Sequence, residues 1–293
     1  MHSPPKVTTI IPVFNRQRFI PATIESALAQ DYSKNEVVVI DDGSTDCTPL
    51  VLESYRGRIT ILTHPGHENR GQSAAINLGI RSTHSKYLAI LDSDDLCYPE
   101  KLKLQVEFLE SHPGVGFVYA NGYEIDASDR VRSKLFPHQH RPWTTPEEAL
   151  LSCPIGCPSA FLFRRSLFDQ VGFYDENLRS AQDHDMVIRL TEVARVGYMD
   201  KPLWLKREHA DSLSLKFKRR RWETGFRILH KALRRYPYPP TVRRRRLAVL
   251  HYRLGHCFTE DGIYLTAARH FLLAGIYDPK RALITLATWD WTR

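Results

Sequence analysis

Cysteine is scarce in this 293-residue chain and unevenly placed: Cys47, Cys97, Cys153, Cys157 and Cys257. An odd number at irregular spacing excludes the disulfide framework of small secreted domains. Cys153 and Cys157 form a CPIGC pair, but no second pair completes a zinc site. Reduced thiols are therefore expected, as in a cytoplasmic protein. Long apolar runs are missing too. No stretch of about 18 uncharged apolar residues occurs, so no transmembrane helix is expected. The start, MHSPPKVTTIIPVFNR, lacks a leader's apolar region and cleavage site, because Arg16 and Arg18 interrupt it.

Charge is plentiful but divided. Residues 201–293 hold 21 Lys and Arg against 7 Asp and Glu, a balance of +14. The first 200 residues hold 20 against 26, a balance of −6, so the net +8 hides an acidic body and a basic tail. Such asymmetry suggests two parts with different tasks.

Along the body, strand-like and helix-like stretches alternate. Val7 to Phe14, Val37 to Ile40, Ile59 to Thr63 and Tyr87 to Leu91 are apolar and largely β-branched, as buried strands are. Between and after them, Phe19 to Gln30, Thr48 to Tyr55, Gly71 to Ser82 and the stretch from Pro99 to Ser111 predict helices. This alternation is that of an α/β domain with a parallel sheet and crossover helices. Further strands are expected at Gly116 to Ile125, Ser159 to Phe163 and Val196 to Leu205, with helices at Ser166 to Val171 and Gln182 to Ala194. Residues 127–146 are polar and proline-bearing, and predict a long loop. From Phe217 on the pattern is helical. Gly255, Phe258, Gly262, Ala267, Phe271, Ala274 and Pro279 resemble the spacing of one tetratricopeptide repeat. One repeat cannot bury its own face, so it needs further packing.

The stretch YLAILDSDD carries the chemistry. A buried strand ends in Asp92, Asp94 and Asp95, which repel one another unless something positive sits among them. A hard divalent cation, Mg²⁺ or Mn²⁺, answers that need; the plain alternative is a solvated acidic turn. The carboxyl end of a buried strand is also where open α/β sheets bind ligands. Asp41 and Asp42 end another strand, where a carboxylate can meet a base edge or a ribose, or simply cap a helix. Arg70-Gly71 opens a helix, a natural place for an anion. Base, diphosphate and cation are the parts of a metal–nucleotide.

Four stretches, IIPVFNR, VVVIDDGSTD, NRGQSAAINLGI and LAILDSDDLCYPEKL, together resemble the nucleotide-sugar half of family 2 glycosyltransferases of the GT-A fold. They cover about residues 6–112. The segment SAFLFRRSLFDQVGFYDENLRSAQDHDMVIRL resembles the family's acceptor side, and the likeness runs to about residue 215 through Arg207-Glu208-His209 and Ser212-Leu213-Ser214. It implies a transferase domain over 1–215, with an acceptor half from about 113, and a separate helical extension over 216–293. It also implies that Pro12 and Asn15 line a base pocket and that Asp41 meets a uracil or thymine base. Asp42 and Arg70 flank the nucleotide, as does Asp92, the first acid of the family's DxD motif. Asp94 comes first as metal ligand and Asp95 second, since family members differ in which acid binds directly. His209 approaches the metal or diphosphate, or is a surface histidine. Asp183 is the catalytic base, with Asp185 next in line. The family has Glu-Asp where this chain has Gln182-Asp183, which leaves the base position matched and its neighbour changed.

The implied reaction is a single displacement with inversion, from a UDP- or dTDP-linked sugar to a hydroxyl of a saccharide or lipid-linked acceptor, in polysaccharide or glycolipid synthesis. Three rivals differ in their motifs. A phosphatase of the haloacid dehalogenase type has its DxD on the first strand. A sugar nucleotidyltransferase needs a Gly-rich basic loop where this chain has PVFNR. A catalytically inactive scaffold would bind partners through the tail. RRRW at 219–222 and RRRR at 243–246 lack a nucleic-acid motif beside them, so no nucleic acid is expected. Contact with the anionic inner face of the membrane suits a basic helical tail better, and solvated helix faces are the plain alternative.

Overall fold

The computed structural model describes residues 5–136, 140–151, 157–209 and 218–280. Cys153 and Ser212 to Ser214 lie outside them. The chain divides into two compact units, residues 1–145 with 154–210 and residues 146–153 with 211–293.

The first unit is built on one mixed sheet. Its strands are β1 (Val7–Val13), β2 (Asn35–Asp41), β3 (Thr60–Thr63), β4 (Tyr87–Ile90), β5 (Leu96–Cys97), β6 (Val115–Ile125), β7 (Val131–Lys134), β8 (Phe161–Arg164) and β9 (Arg195–Arg207). Their order is β3-β2-β1-β4-β8-β6-β9-β5, and β7 adds to β6. The helices are α1 (Ile20–Leu28), α2 (Thr48–Glu53), α3 (Gln72–Arg81), α4 (Lys101–Ser111), α6 (Ser166–Val171) and α7 (Gln182–Thr191); α5 (Pro146–Leu151) lies in the other unit.

β1, β2, β3 and β4 run parallel, so their carboxyl ends open on one edge of the sheet. β8 then enters antiparallel between β4 and β6. β1, β4 and most of β2 are buried on both faces, which is why they are near-continuous in apolar residues. On one face Ile11, Val13, Val37, Val39 and Leu91 pack with Ile20, Ile24 and Leu52 of α1 and α2. Farther along that face, Val7, Tyr87 and Ala89 pack with Leu102, Val106 and Leu109 of α4. The opposite face meets α3 through Gly79, where an added Cβ would lie 2.6 Å from Ile10. A glycine there lets the helix approach the sheet closely.

One difference from the sequence expectations matters. Residues 131–134, expected in a long loop, form β7 and pair with β6 across the short turn around Asp129. The strand expected over Val196 to Leu205 is β9, a single strand that runs parallel to β6 and then pairs with β5. That last pairing, Leu96 with Leu205, brings the end of β9 beside the acidic turn after β4.

The second unit holds α5, α8 (Lys218–Arg235), α9 (Pro240–Glu260) and α10 (Tyr264–Tyr277). α9 and α10 form a helix–turn–helix in which Gly255 lies against Phe271 and Ala267 and Ala274 are buried. The missing cover for this repeat-like pair comes from α8, where Gly225 admits Leu250, and from α5. Arg246 is buried and donates to the Leu151 carbonyl at the end of α5 at 3.1 Å. It is therefore an internal fastener and not part of an exposed basic run, unlike Arg243, Arg244 and Arg245.

His251 and His270 join α9 to α10 through their Nδ1 atoms, 3.0 Å apart, and His251 stacks on Tyr277. Burial, then His270 and Arg269, pull the His251 imidazole down to about 4. An unfolded histidine titrates near 6.5, so below that pH the unfolded chain takes a proton that the folded one refuses. The stability of this unit should be full above about pH 6.5 and fall as the pH drops toward 4. Urea unfolding followed across that range should show the loss. His251→Phe, which keeps the ring but takes no proton, should flatten it; an equally steep fall in the variant would assign the acid sensitivity elsewhere.

Candidate functional site

The carboxyl ends of β1, β2 and β4 deliver the acids to one edge. Asp41 is buried, and its Oδ1 accepts the Ser44 N–H at 3.0 Å. An open cavity of about 290 Å³ lies against it, lined also by the apolar Pro49, Leu52, Ile59 and Ile61 and the polar Glu53, Arg56, Thr63 and His67. Pro12 and Asn15 do not line this cavity. Pro12 is buried in β1 opposite Ile40. Asn15, at φ 50°, accepts the Thr45 N–H at 2.7 Å and donates its own N–H to the Ser44 hydroxyl oxygen at 3.0 Å. Asn15 thus braces the loop after β2.

Asp42 is committed to the backbone. Its two oxygens accept the Arg70 and Gly71 N–H groups, each at 2.8 Å. Burial pushes its carboxyl above the ordinary range, against those two hydrogen bonds and the nearby His64. The expected anion at this helix start is thus the protein's own carboxylate. Gly71 must be glycine here: its φ is 91°, and a Cβ would meet Arg179. The Arg70 guanidinium is half-exposed and lies 3.8 Å from Glu176.

Asp92, Asp94 and Asp95 occupy the turn between β4 and β5. Asp95 is buried and saturated: Ser159 donates its hydroxyl at 2.6 Å, Arg207 its N–H at 2.9 Å and Cys157 its thiol at 3.0 Å. Burial and Asp94 push its carboxyl up to about 6. Burial, then Asp95, Asp183 and Asp94, hold the Asp92 carboxyl well above its ordinary range. Cys157 donates to Asp92 as well, and burial holds its thiol well above its usual range, so it keeps its proton. Asp94 faces the other way. Its Oδ2 lies 2.9 Å from His209 Nε2 and 3.6 Å from Arg16 Nε. His209 is buried, not a surface histidine, and its ring rests on Phe19 at 4.6 Å, beside Arg207. Among the described residues, carboxylate oxygens with one imidazole form a donor set that Mn²⁺ or Mg²⁺ accepts. The crowding that lifts Asp92 and Asp95 is the charge excess a cation would relieve.

Asp183 stands in the first turn of α7, close enough for its charge to raise Asp92. Gln182 donates to Gln72 at 2.7 Å, and Gln72 donates to Asp92 at 2.8 Å. Asp185, next in line as base, is tied to Arg189 at 2.9 Å and buried, so it is held by an ion pair within its own helix. The supporting groups Gln72, Cys157, Ser159, Phe19 and Arg207 carried no signal beyond lying inside or beside the recognised stretches.

If Asp42 holds the start of α3, Asp42→Asn should destabilise the fold by about 1–3 kcal/mol, because one buried N–H would face an amide NH₂. The midpoint of urea unfolding measures this, and an unshifted midpoint would refute the assignment.

Comparison with known proteins bears on the family and the fold. Residues 8–172 match the family described as Glycosyl transferase family 2. An uncharacterized glycosyltransferase of Rickettsia prowazekii is 32% identical over 222 residues, which cover 70% of this chain and 65% of that protein. The chain thus spans just under two thirds of that relative. Staphylococcus aureus TarS, solved as residues 1–349 with UDP-GlcNAc, superposes with a TM-score of 0.68 at 22% identity, over 92% of this chain and 81% of that one. A mannosyltransferase of Pyrobaculum calidifontis, solved with GDP-Man and Mn²⁺, gives 0.64 at 22% identity, over 98% and 79%. The fold is that of GT-A nucleotide-diphospho-sugar transferases, with a helical extension. Matched over more than half of its length, this chain belongs to glycosyl transferase family 2.

Proposed function

We propose that the chain transfers a sugar, with inversion, from a UDP- or dTDP-linked donor to a hydroxyl acceptor. The observation that carries this is the meeting of Asp183 with the acidic turn of β4 through Gln182 and Gln72. The donor's base enters the cavity beside Asp41, whose free acceptor capacity suits the N3–H of a pyrimidine. The relatives' bound UDP-GlcNAc and GDP-Man support a nucleotide-sugar donor in general.

Asp94 and His209 are the residues that would hold a divalent cation, while Asp95, taken up by its own hydrogen bonds, fixes the turn behind them. Such an ion, when bound, neutralises the charge of the departing diphosphate. Arg16, beside Asp94, adds positive charge at the same place. Asp183 takes the acceptor proton during attack, a contribution of about 10²–10⁴-fold. Asp185 is held by Arg189, so no second carboxylate of this helix is placed as a nucleophile, and a single displacement follows. An α-linked donor gives a β-linked product. The acceptor is a saccharide or lipid-linked glycan of the cell envelope, met on the cytoplasmic side.

Asp183→Asn should lower the release of nucleoside diphosphate from a panel of UDP- and dTDP-sugars with Mn²⁺ by about 100-fold or more, leaving donor affinity unchanged. Asp94→Asn should instead abolish the Mn²⁺ dependence of UDP binding in calorimetry. Near-parental turnover in the first variant, or unchanged metal dependence in the second, would reject the corresponding role.

The tail supports attachment to an anionic surface. Thr224 to Thr259 contain nine Lys and Arg and no Asp or Glu. Arg234 and Arg235 precede, and Arg243, Arg244 and Arg245 follow, the turn between α8 and α9, and all five are exposed. No helix of the described residues is long and apolar enough to cross a membrane. Each basic group near an anionic bilayer contributes about 1 kcal/mol. Replacing Arg243, Arg244 and Arg245 by Gln should release the protein from phosphatidylglycerol vesicles at low salt, with donor hydrolysis intact. A parent protein that such vesicles never retain would end this role.

A further inference from the structure

α3 and α7 begin alike. Each starts with a glutamine that follows a residue of positive φ, Gly71 at φ 91° and Ala181 at φ 56°, the second in the left-handed helical region. That conformation is unfavourable for alanine and persists only where the surroundings enforce it. The side chains of the two glutamines join. Gln182 Nε2 donates to Gln72 Oε1 at 2.7 Å and lies 3.4 Å from Asp183 Oδ2. Gln72 Nε2 donates to Asp92 Oδ1 at 2.8 Å. Gln182 is buried. The chain of contacts therefore runs from one carboxylate to another across two amides.

We infer that Gln72 and Gln182 are positioning residues for the transfer, an amide pair that fixes Asp183 relative to Asp92. The inference rests on the reading of Asp183 as the base. Two like charges pushed together in a buried site tend to splay apart. The Gln182 amide has two hydrogens, enough for both Gln72 and Asp183. Because Gln72 receives on its oxygen, its nitrogen must turn to Asp92. A carboxylate at position 182 has no hydrogen to give. Gln72 would then stand between two acceptors, and whichever way its amide turned, one carboxylate would face its carbonyl oxygen. It would also bring a further negative charge to a group that already holds Asp92, Asp94, Asp95 and Asp183. The glutamine at 182, where the resembled family has glutamate, is thus matched to the glutamine at 72.

The test is a double-mutant cycle on the full chain, reading kcat and KM for whichever UDP-, dTDP- or GDP-sugar of a panel the parent hydrolyses. UDP affinity by calorimetry and Tm are read alongside. Gln182→Glu, close to isosteric, should lower kcat about tenfold or more with KM, UDP affinity and Tm unchanged. Gln72→Ala should do the same, and Gln72→Ala with Gln182→Ala should cost no more than either alone, since the two act as one unit. In an Asp183→Asn background, Gln182→Glu should cost nothing further. Parental kcat in Gln182→Glu, additive losses in the pair, or an undiminished loss in the Asp183→Asn background would each overturn the inference while leaving the base in place. Parental turnover in Asp183→Asn itself would instead remove the base, and the inference with it.

Discussion

Repulsion among the carboxylates after β4 is the constraint around which the first unit is arranged. Asp92, Asp94 and Asp95 sit within one turn, and Asp183 adds its charge from α7. Left alone they would resist burial. The fold answers with donors drawn from far along the chain: Ser159 and Cys157 before β8, the Arg207 N–H at the end of β9, Gln72 at the start of α3. These groups satisfy Asp95 and one side of Asp92 from within. Asp94 is left facing His209 and Arg16, which is the side from which a cation and a diphosphate would arrive.

This division separates acids taken up by internal hydrogen bonds or an ion pair from those to which the proposed transfer assigns a role. Asp42 and Asp95 lie within the two acidic motifs but are taken up by backbone N–H groups. Asp185 is taken up by Arg189. Asp41, Asp94 and Asp183 remain directed to the cavity, the His209 side and the glutamine pair. A buried carboxylate that accepts several hydrogen bonds is a poor ligand and a poor base, because those bonds must break first. The geometry therefore narrows the candidates that a motif alone presents as equals.

The second unit follows another logic. Its helices need each other, since a single repeat-like pair leaves a face uncovered. α8 and the short α5 provide that cover, and Arg246 spends its charge on the Leu151 carbonyl inside the unit. The remaining arginines beside the α8–α9 turn stay in solvent. One run of four arginines thus contains one internal fastener and three surface charges, and helical spacing explains it: position 246 falls on the same buried face as Val242 and Leu250.

From the sequence alone came the α/β character of the first half, because fully buried strands are apolar throughout and helices repeat every three to four residues. The positions of Asp41, Asp92, Asp94 and Asp183 also came from it, since each ends a strand or opens a helix within a recognisable local stretch. What it could not supply was the contacts between residues about 65 to 112 positions apart, such as Cys157 with Asp92 or the Arg207 N–H with Asp95. Periodicity reports which face of an element is buried, not which element lies against it. Only the tertiary structure inserted β8 antiparallel between β4 and β6 and ran β9 back to β5, and those two strand pairings decided which acids are saturated and which stay available.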